Sequence, residues 1–205
     1  MKIQYEILIE NLAQAVKQER PYVGRHEFMP LSPHSELQSA AVLLLFALNL
    51  ENEVHILFVR RADHIETHRG QMAFPGGRVE PEDGGSSIAT ALRETEEEVG
   101  VLREQIEVIG LLPQLQTITG FQIEPVVGAL KSPLESMSLK LDAEELAEAF
   151  WVPLSELDHP DVYTEETFVG NEQAYQISIY TLSRCRIWGA TGAMTKNILD
   201  RYFQR

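Results

Sequence analysis

Along this chain the apolar positions recur with different periods, and those periods mark out the elements. Residues 4–19 place Ile7, Leu8, Leu12 and Val16 at helical spacing, which predicts an N-terminal helix. Residues 40–50 form a continuous apolar run, the pattern of a buried strand. Residues 49–53 are polar and read as a turn into a second strand over 54–61, so the two strands predict a hairpin. Further strands are predicted at 106–112, 121–129 and 149–152, with a loop over 113–120 and a polar stretch over 139–148. A short helix over 153–157 follows, then a late strand or hairpin over 175–181 and 185–188. Residues 191–203 close the pattern as a helix with Met194, Ile198, Leu199 and Tyr202 on one side. Strands interleaved with long helices predict an α/β fold, a mixed sheet covered on both faces. Residues 20–36, rich in Pro, His and Ser, read as an extended arm that would cover a sheet edge or reach a partner subunit in a homodimer. The expected organisation is therefore an N-terminal helix and arm over 1–36 and one catalytic-size domain over 37–205.

One helix carries chemistry. Ile88, Ala91, Leu92, Thr95 and Val99 form an apolar stripe that would face a sheet, and Gly100 supplies a stop. Off that stripe, at the rim, Glu94, Glu97 and Glu98 stand at i, i+3 and i+4 and so share one face. Three carboxylates on one face repel unless a cation sits between them, and a hard divalent ion such as Mg²⁺, or Mn²⁺ in its place, takes such oxygen ligands. Arg93 begins the cluster and can lock a glutamate rotamer by a paired hydrogen bond. Upstream, Gly76 and Gly77 let the backbone come close to an ion or a phosphate. Taken alone, a glutamate run is more often a solvated face, and Glu96 fits that description. The spacing together with the glycine pair points to a metal site for phosphate chemistry.

The segment Arg93-Glu94-x-x-Glu97-Glu98-x-Gly100-Val101, downstream of Gly76-Gly77, resembles the Nudix box. That family hydrolyses nucleoside diphosphates linked to another group, on an α/β/α sandwich, and the resemblance implies the same here. The loop before Arg93 is longer than usual, and Gly85 stands near the place of the box's usual structural glutamate; Glu80, Glu82 and Asp83 are candidates for its role. The likeness extends over roughly residues 40–200. Residues 57–62 and 70–77, Ala91-Leu92-Arg93-Glu94, and the tail Ile187-Trp188-Gly189-Ala190-Thr191-Gly192 resemble the coenzyme A pyrophosphatase branch. Departures from that branch are Val59 in place of a threonine and Glu66 in place of a basic residue. The resemblance implies metal ligands Glu94 and Glu98, helped by Glu97 and a carbonyl of Gly76 or Gly77. A general base would come from a separate loop, and Glu145 is the first candidate, with Glu144 and Glu97 as alternatives. Arg93 would orient the glutamates. Arg61 and Arg69 are candidate substrate-phosphate contacts, with a solvated surface role as the alternative.

Composition narrows the classes. The chain has 205 residues, 44% of them hydrophobic, enough for one substantial core. A net charge of −14 repels a phosphate polymer, so general nucleic-acid binding is not expected, while a metal can still invert the field locally for a small nucleotide. The single Cys185 allows no internal disulfide and fits a reducing cytoplasm. No apolar run reaches membrane-spanning length, and the N-terminus has acids within its apolar stretch, unlike a signal peptide. His26, His34, His55, His64, His68 and His159 show no zinc spacing, although His64 and His68, four apart, stand near the glycine loop. Neither a phosphate-binding Walker loop nor a nucleophile elbow is present, and residues 80–85 lack the ligand pattern of a calcium loop. Against coenzyme A or acyl-CoA stand ADP-ribose, a nucleotide sugar or a nucleoside triphosphate as substrate, and a non-catalytic nucleotide-binding module as the rival class.

Overall fold

A computed structural model describes residues 2–22, 37–64, 69–117, 119–170 and 173–205. Most of the expected arm, together with Glu66 and His68, lies outside these residues. In chain order the elements are α1 (Lys2–Lys17), β1 (Gln38–Leu48), β2 (Val54–Arg61), β3 (Met72–Ala73), β4 (Gly76–Arg78), α2 (Ser87–Val99), β5 (Ile106–Leu111) and β6 (Leu115–Gln116). Then come β7 (Phe121–Leu130), β8 (Leu146–Pro153), α3 (Leu154–Leu157), β9 (Tyr163–Gly170), β10 (Gln173–Thr181), β11 (Arg186–Ile187) and α4 (Gly189–Tyr202).

The main sheet is mixed: β1 runs parallel to β7, and the other pairings are antiparallel. The continuous apolar run of β1 has a direct cause, since both of its faces are buried. Ala41, Leu43, Leu45 and Ala47 join the core beneath α2, while Leu44, Phe46 and Leu48 join the core beneath α1 and α4. Three layers result, as the interleaved pattern predicts. Helix α1 adds Leu8, Leu12 and Ala15 to the second of these cores, so it is packed into the domain.

The β1–β2 hairpin is not closed along its length. Only residues 46–48 of β1 pair with β2, around a turn in which Asn52 takes a φ of 64°. Toward their other ends the two strands diverge, and β3 pairs with β2 while β4 pairs with β1. The glycine-rich segment read as a loop therefore fills a wedge in the sheet. Phe74 is buried at its centre, stacked on Phe58 with ring centroids 4.8 Å apart. A Cβ on Gly76 would lie 2.3 Å from the Ala41 carbonyl oxygen and 2.6 Å from Val42 Cα, so only glycine fits where β4 enters the wedge.

Helix α2 covers this wedge. The Ser86 side chain caps its start by accepting from the Ala89 N–H at 3.3 Å, and Gly100, at φ 71°, ends it by donating to the Glu96 carbonyl. Strand β8 begins at Leu146, earlier than the polar stretch suggests, because Leu146 is buried against α2's side of the sheet. Strand β9 is missed by the apolar pattern. It pairs with β10 in a separate three-stranded sheet with β11, and its Glu165 and Glu166 are exposed. Helix α4 packs on β10: a Cβ on Gly192 would lie 2.3 Å from the Ser178 carbonyl oxygen, and Thr191 donates its hydroxyl to the Met72 carbonyl at 3.0 Å.

Candidate active site

The glutamates of α2 do not share one environment. Glu97 is open to solvent, with 59% of its side chain exposed; Glu94 retains 15%; Glu98 as a residue retains 3%. Glu98 is thus not at the rim where the helix pattern puts it. It follows Thr95 by three positions and precedes Val99, so it borders the apolar stripe and is carried under the helix, against the β4 backbone. There its carboxylate accepts the Gly76 N–H at 3.0 Å. Burial pushes the Glu98 carboxyl up to about 8, and the neighbouring Glu94 and Glu145 carboxylates push the same way, against the Gly76 hydrogen bond and the Arg61 charge. Burial also raises Glu94 above the ordinary carboxylate value, opposed by Arg93.

Gly77 explains why the glycine pair is needed here. A Cβ at that position would lie 2.2 Å from Glu94 Oε1, so a side chain would displace the carboxylate. Gly76 and Gly77 are the floor on which Glu98 and Glu94 rest, and the contact that Gly76 makes with the cluster is through its N–H.

Arg93 is the organiser of this edge. Its Nε and Nη2 each donate to Asp83 at 3.0 Å, its Nη1 reaches Glu97 at 2.9 Å and Glu94 at 3.0 Å, and Nη2 donates to the Arg78 carbonyl at 3.3 Å. Asp83 is buried and also accepts from the Thr90 hydroxyl at 2.8 Å and the Glu80 N–H at 2.9 Å. The Arg93 guanidinium holds the Asp83 carboxyl far below the usual range. Of the three acids considered for the structural role in the long loop, Asp83 is the one with these partners.

Glu145 comes from the segment before β8, which wraps the end of α2. The Asp142 N–H donates to the Glu98 carbonyl at 3.0 Å and the Lys140 N–H to that of Val99 at 2.9 Å. The exposed Glu145 is near enough to raise the carboxyls of both Glu94 and Glu98. Glu144 is exposed as well, with its backbone N–H on the Asp142 side chain at 2.9 Å. Arg61 stands at the end of β2 beside a register shift, and its Nε is the one buried side-chain polar atom without a hydrogen-bond partner among the described residues. Arg69 is exposed. Arg60 is engaged elsewhere, by Asp63 at 3.0 Å and Glu148 at 3.2 Å.

Among the described residues no group of three acidic, histidine or cysteine side chains is placed to hold a metal ion as it stands. The donor set nevertheless suits a hard cation. A buried carboxyl surrounded by further carboxylates is poorly ionised on its own, and a divalent ion taking oxygen ligands would supply the missing charge. Cys185 is partly buried, and burial pushes its thiol up to about 11, as for a structural residue.

Residues 37–169, which include the glycine floor, the arginine-braced glutamate helix and the acidic loop, match the NUDIX domain. The chain belongs to the Nudix family and is an enzyme of its hydrolase class. It is 35% identical over 185 residues to the Uncharacterized Nudix hydrolase NudL of Salmonella typhimurium, an alignment that covers 87% of this chain and 89% of the relative. NudL of Salmonella typhi matches with the same identity and coverage. The Nudix hydrolase RenU of M. smegmatis aligns with 60% of this chain and 77% of its own, at 24% identity and a TM-score of 0.49. No helix among the described residues is long and apolar enough to cross a membrane.

Proposed function

We propose that this enzyme hydrolyses the P–O–P bridge of coenzyme A or acyl-CoA, releasing a phosphopantetheine half and a 3′,5′-ADP half. The observation that carries the hydrolytic chemistry is Glu98, 3% exposed, resting on the Gly76 N–H with Glu94 and Glu145 beside it. Support for the coenzyme comes from the likeness of residues 70–77 and of the Trp188–Gly189 tail to the coenzyme A pyrophosphatase branch.

Glu94 and Glu98, with Glu97 at the open edge, would hold Mg²⁺ or Mn²⁺, joined by a carbonyl of the Gly76-Gly77 pair. Held there, the ion would supply charge neutralisation of the bridge oxygens and acidification of a bound water. The residues of the chain do the rest. Glu145, at the mouth of the site, takes the proton from the water that attacks phosphorus. Arg93, tied to Asp83, keeps Glu94 and Glu97 in register and does not touch substrate. Arg61, its Nε unpaired and buried, is the first candidate for a substrate phosphate, and Arg69 the second. With Arg60 neutralised by Asp63 and Glu148, fewer cations remain for the coenzyme's 3′-phosphate, which fits a moderate affinity. The lone thiol fits action in a reducing cytoplasm.

The test is a panel with Mg²⁺: coenzyme A, acyl-CoA, ADP-ribose, a dinucleoside polyphosphate and nucleoside triphosphates. Coenzyme A is expected to be cleaved at its pyrophosphate, with tighter binding in Glu66→Arg. If ADP-ribose or a nucleoside triphosphate is cleaved far better and Glu66→Arg brings no gain, the coenzyme assignment fails and the Nudix hydrolase assignment remains.

A further inference from the structure

Glu145 has a feature that its role makes consequential: its place is set by backbone contacts at both flanks. On the α2 side the segment is anchored through Asp142, whose carbonyl accepts the N–H groups of Glu145 at 3.2 Å and Leu146 at 2.8 Å. On the β2 side the Ala62 N–H donates to the Glu145 carbonyl at 2.8 Å, and the His64 ring, through Nε2, lies 2.9 Å from the Glu144 carbonyl. A carbonyl oxygen has only lone pairs to offer, so Nε2 must carry the hydrogen and donate. Of the anchors on the β2 side among the described residues, His64 is the one made by a side chain.

We infer that His64 is a positioning residue for hydrolysis: by donating Nε2–H to the Glu144 carbonyl it holds the Glu144–Glu145 backbone so that the Glu145 carboxylate faces Glu94 and Glu98. This rests on the reading of Glu145 as general base. Misplacing a reacting group by about 1 Å costs on the order of 10²-fold in rate, because the proton must be taken at hydrogen-bond distance. The Asp142 and Ala62 bonds hold the N–H and the carbonyl of Glu145; the His64 bond holds, from the β2 side, the carbonyl end of the Glu144–Glu145 peptide. His64 is exposed and needs no role in the core, so its removal should leave the fold in place. The donor, not the charge, matters: Nε2–H is present in the neutral tautomer required here and in the protonated ring alike.

The experiment is a double-mutant cycle on the fastest-cleaved member of the substrate panel with saturating Mg²⁺. His64→Ala should lower kcat by roughly 10- to 100-fold with KM and thermal midpoint little changed. His64→Gln, whose side-chain amide also donates, should recover most of the loss. In a Glu145→Gln background, His64→Ala should bring no further decrease, because the group it positions is already gone. If Glu145→Gln is slow but His64→Ala turns over normally, the positioning role is overturned and the base assignment stands. If His64→Ala slows the Glu145→Gln enzyme as much as the wild type, His64 acts independently of Glu145 and the inference is likewise overturned. If Glu145→Gln itself keeps wild-type kcat, the base assignment fails, and the inference with it.

Discussion

Replacing Glu98 by glutamine separates what the carboxylate does for catalysis from what it costs the fold. Glutamine keeps the shape and an oxygen for the Gly76 N–H, and it removes the charge. In the metal-free protein the Glu98 carboxyl rises from 4.5 to about 8, chiefly through burial. The folded pKa is above the unfolded one, so Glu98 contributes no penalty below about 4.5, and the apo protein loses stability progressively as pH rises through about 8. At about 1.36 kcal/mol per unit, a shift of this size corresponds to at most about 5 kcal/mol, and water entry and small rearrangements leave roughly 2–4 kcal/mol. Urea unfolding in excess chelator should show Glu98→Gln stabler than wild type by that amount near pH 8.5, with the difference nearly gone near pH 4.5. Added Mg²⁺ should close the gap at alkaline pH by stabilising the wild type, because the ion binds the folded state and competes with the proton. Turnover of the variant should fall by roughly 10²–10⁴, as for loss of a principal charged group in a site. A chelated variant no stabler than wild type near pH 8.5 would overturn the buried-carboxyl account, and normal turnover of Glu98→Gln alongside a loss in Glu96→Gln would overturn the assignment of Glu98 to the site.

Three further outcomes are expected. Excess chelator should abolish turnover and Mg²⁺ or Mn²⁺ restore it; full activity in chelator would remove the metal site. Asp83→Asn should cost about 1–3 kcal/mol of stability near neutral pH by removing the charge opposite Nε and Nη2 of Arg93 while Glu94 and Glu97 remain on Nη1, measured by denaturant unfolding. Because the Asp83 carboxyl is depressed, this contribution is present above about pH 4 and is lost as pH falls further, so the two proteins should converge in acid. Gly77→Ala should lower kcat well beyond its effect on stability by driving Glu94 aside, whereas Gly84→Ala, with open space around it and a φ of 61°, should cost roughly 1 kcal/mol and leave kcat unchanged.

The local patterns were legible without coordinates, because they depend on neighbours in the chain. The double-faced apolar run of β1, the stripe of α2 and the stop at Gly100 each follow from a period and a terminator. The i, i+3, i+4 spacing likewise brings Glu94, Glu97 and Glu98 to one side of a helix whatever that helix packs on. Their separate fates were decided by packing: Glu98 is buried against the Gly76 N–H while Glu97 stays in water. No helical period reports which carboxylate is covered, because that depends on where the bare Gly76-Gly77 backbone lies beneath the helix. Sequence left Glu80, Glu82 and Asp83 equivalent as partners for the box; only the turn geometry, with Gly84 at a φ of 61°, carries Asp83 inward to Arg93 and Thr90. Strand β9 was hidden because its partner, β10, satisfies its backbone while its charged side chains face water, leaving no apolar alternation to read. The approach of Glu145 and the hydrogen bond from His64, 80 residues from Glu144, were decided at long chain separation, where β2 and β8 pair side by side and bring the two loops together. Periodicity is a property of near neighbours along the chain, and contacts of that length belong to the tertiary structure alone.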